Sequence, residues 1–189
     1  PTAPPGTVGK LIAGTEMRVL SLADPDKDLG AGESGEIVIR GPQVMKGYLG
    51  QPDATAAMID EDGWLHTGDV GHVDAGGWLF VVDRVKELIK YKGFQVAPAE
   101  LEALLLTHPG IADAAVIGVY NEDDNEVPHA FVVRQPTAPG LSEGEVMMYV
   151  AERVAPYKRV RRVTFIDDVP RAASGKILRR ELRTLKEGT

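Results

Sequence analysis

Lys176 is the residue whose setting most invites chemistry. It ends the run Pro170-Arg171-Ala172-Ala173-Ser174-Gly175-Lys176, just ahead of a stripe of leucines. Glycine permits an unusual backbone angle or the close approach of a ligand, and a flexible ammonium can meet an anion there. Read alone, Lys176 is equally an ordinary surface lysine on an exposed, mobile loop. The glycine-lysine pair is not a Walker loop, because the required upstream glycine is missing and no strand enters directly.

Asp69 closes His66-Thr67-Gly68-Asp69. A carboxylate offers only acceptor oxygens and can take both protons of a ribose diol, although an aspartate here is also a natural turn residue or cap. Arg84, Lys86, Lys90 and Lys92 crowd one short segment. On a regular strand the even positions share a side, so these cations form either a solvated face or a seat for a phosphate-bearing ligand. Tyr157-Lys158-Arg159-Val160-Arg161-Arg162 is a second basic run. It reads as a solvated strand edge, with a contact to cofactor phosphates as the alternative. Gly30-Ala31-Gly32-Glu33-Ser34-Gly35 has the spacing of a dinucleotide fingerprint, but a strand follows it rather than a helix, so it reads as a surface turn. The four histidines, 66, 72, 108 and 129, never fall at i, i+4 and offer no metal ligand set.

Composition limits the alternatives. With 189 residues and a 43% apolar fraction the chain can bury a core. A net charge of −7 argues against nucleic acid as the partner. The absence of cysteine excludes disulfides and thiolate chemistry and fits a reducing, cytoplasmic setting. No run is long enough to span a membrane. The start, Pro1-Thr2-Ala3-Pro4-Pro5, has no initiator Met and no signal pattern, so we expect a piece of something longer.

The elements that must position these groups form an α+β chain. Residues 1–83 read as β-rich: Val8 to Val19 alternates loosely, Gly35 to Arg40 alternates clearly, and Trp78 to Val82 is an apolar run. A short helix falls near Thr55 to Ile59. The pattern changes over 83–87, and residues 84–189 read as a smaller α+β domain. There Pro98 to Thr107 is a helix with proline in its first turn and Leu101, Leu104 and Leu105 on one face. Ala114 to Val119 and Ala130 to Val133 read as buried strands. Ser142 and Glu145 form a capping box for a helix faced by Val146, Val150 and Val154. Val163 to Ile166 is a strand, and Leu178, Leu182 and Leu185 stripe a last helix.

Taken in order, several segments resemble the adenylate-forming superfamily of acyl-CoA synthetases, luciferases and adenylation domains. They are Gly35-Glu-Ile-Val-Ile-Arg-Gly-Pro42, Gly47-Tyr48, Gly63-Trp-Leu-His-Thr-Gly-Asp69, Asp83-Arg-Val-Lys-Glu-Leu-Ile-Lys-Tyr-Lys-Gly-Phe-Gln95, Pro98-Ala-Glu-Leu-Glu102 and Ser174-Gly-Lys-Ile-Leu-Arg-Arg180. The stretch Lys90 to Glu102 and Val127-Pro-His-Ala-Phe-Val-Val-Arg134 are most similar to 4-coumarate–CoA ligases of bacterial, Streptomyces-like type. The family's phosphate loop and its aromatic-Gly-Thr-Glu motif are absent, which puts the triphosphate cradle and most of the acid pocket in doubt for this chain. By itself it is expected to be inactive.

The resemblance implies ATP-dependent adenylation of a carboxylic acid, such as 4-coumarate or another aryl or acyl acid, followed by thioester formation with coenzyme A. It implies ATP, Mg2+ and coenzyme A as cofactors, the metal bound mainly by an N-terminal part of the same enzyme. It makes residues 1–83 the β-rich end of an N-terminal adenylation domain and 84–189 a mobile C-terminal domain that turns at Lys86. Lys176 becomes the catalytic cation of adenylation and a nucleotide contact, and Asp69 and Arg84 hold the ribose. Lys90 serves the thioester step and, with Gly93 and Gln95, lines the coenzyme A path. Two alternatives stay open: an adenylating relative that does not use coenzyme A, and a regulatory module acetylated at Lys176 by a protein lysine acetyltransferase.

Overall fold

A computed structural model describes residues 2–185. The chain divides into two compact units, Pro1–Lys86 and Glu87–Thr189.

The first unit is built on one antiparallel sheet of β1 (Glu16–Leu20), β2 (Gly35–Arg40), β3 (Leu65–Val73) and β4 (Leu79–Arg84), in that order. Its small core is Leu20, Val38 and Trp64. Arg18 and Arg40 lie over the Trp64 ring, with their charged carbons 5.4 and 4.5 Å from its centroid. The sheet is therefore sealed on that side by cation–π contacts and by arginine stems. Of the loosely alternating Val8 to Val19 stretch only its end is a strand; Gly9 makes one isolated bridge to Leu79. The single α-helix among its described residues, α1 (Pro52–Ala56), starts with proline three residues ahead of the expected position. The glycine-rich 30–35 segment is a turn feeding β2, as its context requires.

The last residue of the 3-10 turn Val85–Glu87 opens the second unit, and the hairpin of β5 (Ile89–Tyr91) and β6 (Phe94–Val96) comes next. Helix α2 (Pro98–Leu105) follows, then β7 (Ile111–Tyr120), β8 (Glu126–Arg134), α3 (Glu143–Ala151), β9 (Arg162–Phe165) and α4 (Arg179–Leu185). β7 and β8 are antiparallel, while β9 runs parallel to β8 after the α3 crossover.

Both faces of this sheet are covered, which explains why β7 and β8 read as continuous apolar runs. Ala114, Val116, Ala130 and Val132 pack with Leu101, Leu105, Val146 and Val150 on the α2–α3 side. Ala115, Ile117, Val127 and Phe131 pack with Leu182 and Val169 on the other. Ser142 caps α3 in a capping box, its Oγ accepting from the Glu145 amide while the Glu145 side chain accepts from the Ser142 amide. Leu182 is fully buried, but Leu185 is 52% exposed, so the last helix anchors through fewer positions than its leucine spacing suggests.

Candidate active site

Asp69 and Arg84 are brought together within the first unit. They are direct cross-strand partners on β3 and β4, and the Arg84 guanidinium lies 3.2 Å from the Asp69 carboxylate. Local distortion aims them. The β3–β4 register shifts between Val70 and Gly71, a bulge of the kind that redirects side chains beside sites. Gly68 takes φ +68°, which favours glycine. At Gly71 a Cβ would lie 2.3 Å from the Phe80 carbonyl oxygen, so only glycine lets β4 approach there. Thr67 ties the turn: its hydroxyl donates to the Ile37 carbonyl and accepts from the Asp69 amide. Glu36 takes the Gly68 amide and meets the His66 ring at 3.1 Å. The pair is partly solvated, with side-chain exposures of 53% for Arg84 and 32% for Asp69. An acceptor and a donor side by side and accessible match a vicinal diol.

The four cations at 84, 86, 90 and 92 do not share a strand face, which corrects the alternation expected from sequence. Arg84 ends β4, Lys86 sits in the 3-10 turn Val85–Glu87, Lys90 is on β5, and Lys92 lies in the hairpin turn at φ 48°. A 3-10 turn resets the side-chain phase, so even numbering stops meaning one side. Lys86 is the last residue of the first unit.

Lys90, Gly93 and Gln95 do come together, on the β5–β6 hairpin. Lys90 and Gln95 are cross-strand partners, both exposed. The turn is Lys92-Gly93 with both φ positive, as a two-residue hairpin of the primed type demands. Nothing lies within 4 Å of a Cβ built on Gly93, so that face is open. Ile89 and Val96, fully buried, hold the hairpin from beneath. Beside it Phe94 stacks on Tyr157 at 4.4 Å. The Tyr91 phenol is held below its ordinary pKa, first by the Arg161 guanidinium and then by Lys92.

The second basic run is a solvated strand edge only at Arg162, which is exposed on the outer strand β9. Pro156–Lys158 is a 3-10 turn, and only Arg162 belongs to β9. Lys158 pairs with Glu100 at 2.7 Å, and Arg161 donates to the Pro156 carbonyl at 2.8 Å. Two of the four cations in this run, Lys158 and Arg161, therefore serve the fold.

Lys176 is exposed, but its loop is ordered by its own bonds. Residues 171–177 form a tight hairpin: Arg171 bridges Ile177, the Ala172 amide donates to the Lys176 carbonyl, and the Gly175 amide donates to the Ala172 carbonyl. Gly175 has φ +82° with open space around it, so backbone angle is what requires glycine. Arg171 braces the turn by donating to the Gly175 carbonyl at 3.0 Å and to Asp113 at 2.8 Å.

Sequence reasoning missed a buried ion network behind this hairpin. Arg179 opens α4 and pairs with Glu102 of α2; Glu87, the first residue of the unit, lies 3.7 Å from Arg179. Glu102 accepts the Val116 amide, and Arg179 donates to the Val116 carbonyl at 3.0 Å. The two side chains thus satisfy the free edge of β7 as a neighbouring strand would. The signal was present in α2, where Glu102 falls in the same helical stripe as buried Pro98 and Leu105. Among the described residues there is no group of three or more His, Cys, Asp or Glu that could hold a metal ion. Among them, too, no helix is long and apolar enough to cross a membrane.

Residues 1–49 match the AMP-binding enzyme family, and residues 100–176 match the AMP-binding enzyme C-terminal domain. A 4-coumarate–CoA ligase 1 of Glycine max is 54% identical over 181 residues, covering 95% of this chain and 61% of that protein. The chain spans about a third of the length of other plant 4-coumarate–CoA ligases that it matches. These relatives are plant proteins and lend no support to a bacterial, Streptomyces-like type. Among solved structures, ATP-bound MatB from Rhodopseudomonas palustris superposes with a TM-score of 0.87 at 34% identity, covering 97% of this chain and 36% of that one. The amide bond synthetase McbA from Marinactinospora thermotolerans superposes with a TM-score of 0.83 at 30% identity, over 95% and 36%. With relatives above 50% identity and family matches at both ends of its length, the chain belongs to the adenylate-forming (AMP-binding) enzyme superfamily.

Proposed function

We propose that this chain works within an ATP-dependent acid:CoA ligase acting on 4-coumarate or another aryl or acyl acid. The observation that carries the reading is the accessible Asp69–Arg84 pair, an acceptor and a donor set by a bulge to receive a ribose diol. In the first half-reaction a carboxylate oxygen attacks the α-phosphorus of ATP, the bond to the bridging oxygen breaks, and pyrophosphate leaves. In the second the thiol sulfur of coenzyme A attacks the acyl carbon, the acyl–oxygen bond breaks, the thiol gives up its proton, and AMP leaves.

The first half-reaction brings two anions together, so positioned positive charge does most of the work. Lys176 is suited to it: an exposed ammonium on a hydrogen-bonded hairpin keeps side-chain reach while its backbone stays fixed. The β5–β6 hairpin suits the second half-reaction, because Gly93 leaves its surface open to a slender thiol-bearing arm beside Lys90 and Gln95. The first unit, which carries both Asp69 and Arg84, is then a nucleotide-holding part, and the residues after Lys86 are a part that turns there to present each surface in its own half-reaction, the backbone change being absorbed at few residues.

In the full-length enzyme, with 4-coumarate as the acid, Lys176→Ala should slow adenylate formation by about 100-fold or more. It should largely spare thioester formation from supplied 4-coumaroyl adenylate. Lys90→Ala should show the opposite bias, and Lys86→Pro should impair the change between the two. Equal loss of both half-reactions in Lys176→Ala would sink the assignment. The likeness to an amide bond synthetase favours one second reading, transfer of the same adenylate to an acceptor other than coenzyme A. Product formation without coenzyme A in the presence of an amine separates it.

A further inference from the structure

The open face of the β5–β6 hairpin needs a fixed backbone if Lys90, Gly93 and Gln95 are to meet a ligand reproducibly. Ile89 and Val96 anchor its base, but Lys90 itself is exposed. With Tyr91 and Phe94 flanking a two-residue turn, the next pair, Lys90 and Gln95, is of the non-hydrogen-bonded kind, so the Lys90 amide points away from β6. That amide donates to the Glu126 carboxylate at 2.7 Å. Glu126 begins β8 and lies 36 residues away in sequence.

Room for this carboxylate comes from Gly118 on β7. A Cβ built on Gly118 would lie 2.1 Å from one Glu126 carboxylate oxygen, closer than real contacts allow. A charged acceptor on a backbone amide is about twice as strong as a neutral one, and it is directional. Glycine at 118 and glutamate at 126 therefore form one device. The strand gives up a side chain so that a carboxylate can lie across it and reach the hairpin.

We propose that Glu126 is a positioning residue for thioester formation, fixing the Lys90 backbone through a carboxylate seated over Gly118. The proposal rests on the reading above that this hairpin serves the second half-reaction. It involves no covalent step of its own.

The test uses the full-length enzyme with 4-coumarate, supplied 4-coumaroyl adenylate and coenzyme A, each half-reaction measured separately. Glu126→Ala should slow thioester formation by about 10-fold, the scale of one lost charged hydrogen bond, and leave adenylate formation nearly unchanged. Glu126→Gln keeps an acceptor oxygen and should restore most of the rate. Gly118→Ala should push the carboxylate aside and reproduce the Glu126→Ala pattern, and the double variant should be no slower than either single one. Equal loss of both half-reactions in Glu126→Ala, or no rescue by Gln, would overturn the proposal and leave a merely structural contact. Lys90→Ala in the same assays keeps the two ideas apart. If it spares thioester formation, the reading of the hairpin fails. If it slows that step while Glu126→Ala does not, the positioning role alone fails.

Discussion

Replacing Arg179 by Met would test whether the ion network behind the Lys176 hairpin holds the second unit together. The Glu102 and Arg179 side chains are only 12% and 14% exposed, so water screens the pair little. Methionine keeps most of the volume and removes the charge. Glu102 then keeps a buried carboxylate with one backbone amide, from Val116, and the Val116 carbonyl loses its donor. Removing one partner of a buried pair costs about 3–5 kcal/mol, because the remaining charge stays desolvated. A domain of roughly 100 residues is stable by about 5–15 kcal/mol, so the loss is a large share of the total. At about 4–8 °C per kcal/mol the second unit should melt more than about 10 °C lower. Removing both charges, in Glu102→Gln with Arg179→Met, should be milder than the sum of the single changes, since no unpaired charge remains. Far-UV circular dichroism in urea follows both units. Both tryptophans, Trp64 and Trp78, fall in the first unit, so their fluorescence serves as the internal control. A loss under about 1 kcal/mol in Arg179→Met, or a double variant as unstable as the sum, would refute the reasoning.

The Asp69–Arg84 pair should behave in the opposite way. It is exposed enough to contribute only about 0–1 kcal/mol to stability, so Asp69→Asn should barely move the melting temperature while raising KM for ATP in the full-length enzyme by roughly 10-fold. The α3 capping box carries a pH signature. The Ser142 hydroxyl and amide hold the Glu145 carboxyl below its usual pKa, so the box stabilises above the unfolded-state value and that part is lost as pH falls through the lower folded one. Ser142→Ala should cost about 1 kcal/mol near neutrality, and its gap to the parent, measured by urea unfolding across pH, should narrow in acid.

Much of the fold was legible because its determinants are local. Proline at the start of α2, the Ser142–Glu145 box and the strand-forming run Gly35 to Arg40 each act within a few residues, and each element lies where the sequence placed it, although β2 buries Ile37 and Val38 in succession rather than alternating. The cation segment 84–92 was misread because strand alternation was carried across a 3-10 turn that has no strong residue signature. Leu185 was misread for a related reason: a helical stripe identifies a face, but not how far the neighbouring sheet extends beneath it. Of the candidate site, Asp69 with Arg84 and Lys90 with Gln95 are joined as partners on adjacent strands. Glu126 and Arg179 were out of reach, since their partners are 36 and 77 residues away and no periodicity links them.

The contacts that secure the proposed catalytic segments of the second unit are graded in strength. The chain just beyond the Lys176 hairpin is held by Arg179, in a nearly buried pair, while the hairpin's own base is braced by Arg171 on Asp113, whose side chains are 39% and 27% exposed. The first resists solvent and salt, while the second is worth about 1 kcal/mol at most and weakens as salt is added. The β5–β6 hairpin has the same construction, with fully buried Ile89 and Val96 below and a single carboxylate contact at Lys90 above. A lysine proposed to touch a reacting phosphate in one half-reaction and leave it in the next would gain from this gradient. A firm anchor at the start of the following helix fixes where the loop ends, and a weak brace across the hairpin's base lets the loop adjust to the ligand. Stabilising the hairpin further, for instance by burying the Asp113–Arg171 pair, would then be expected to cost rate rather than add it, which is the usual conflict between stability and activity at a working site.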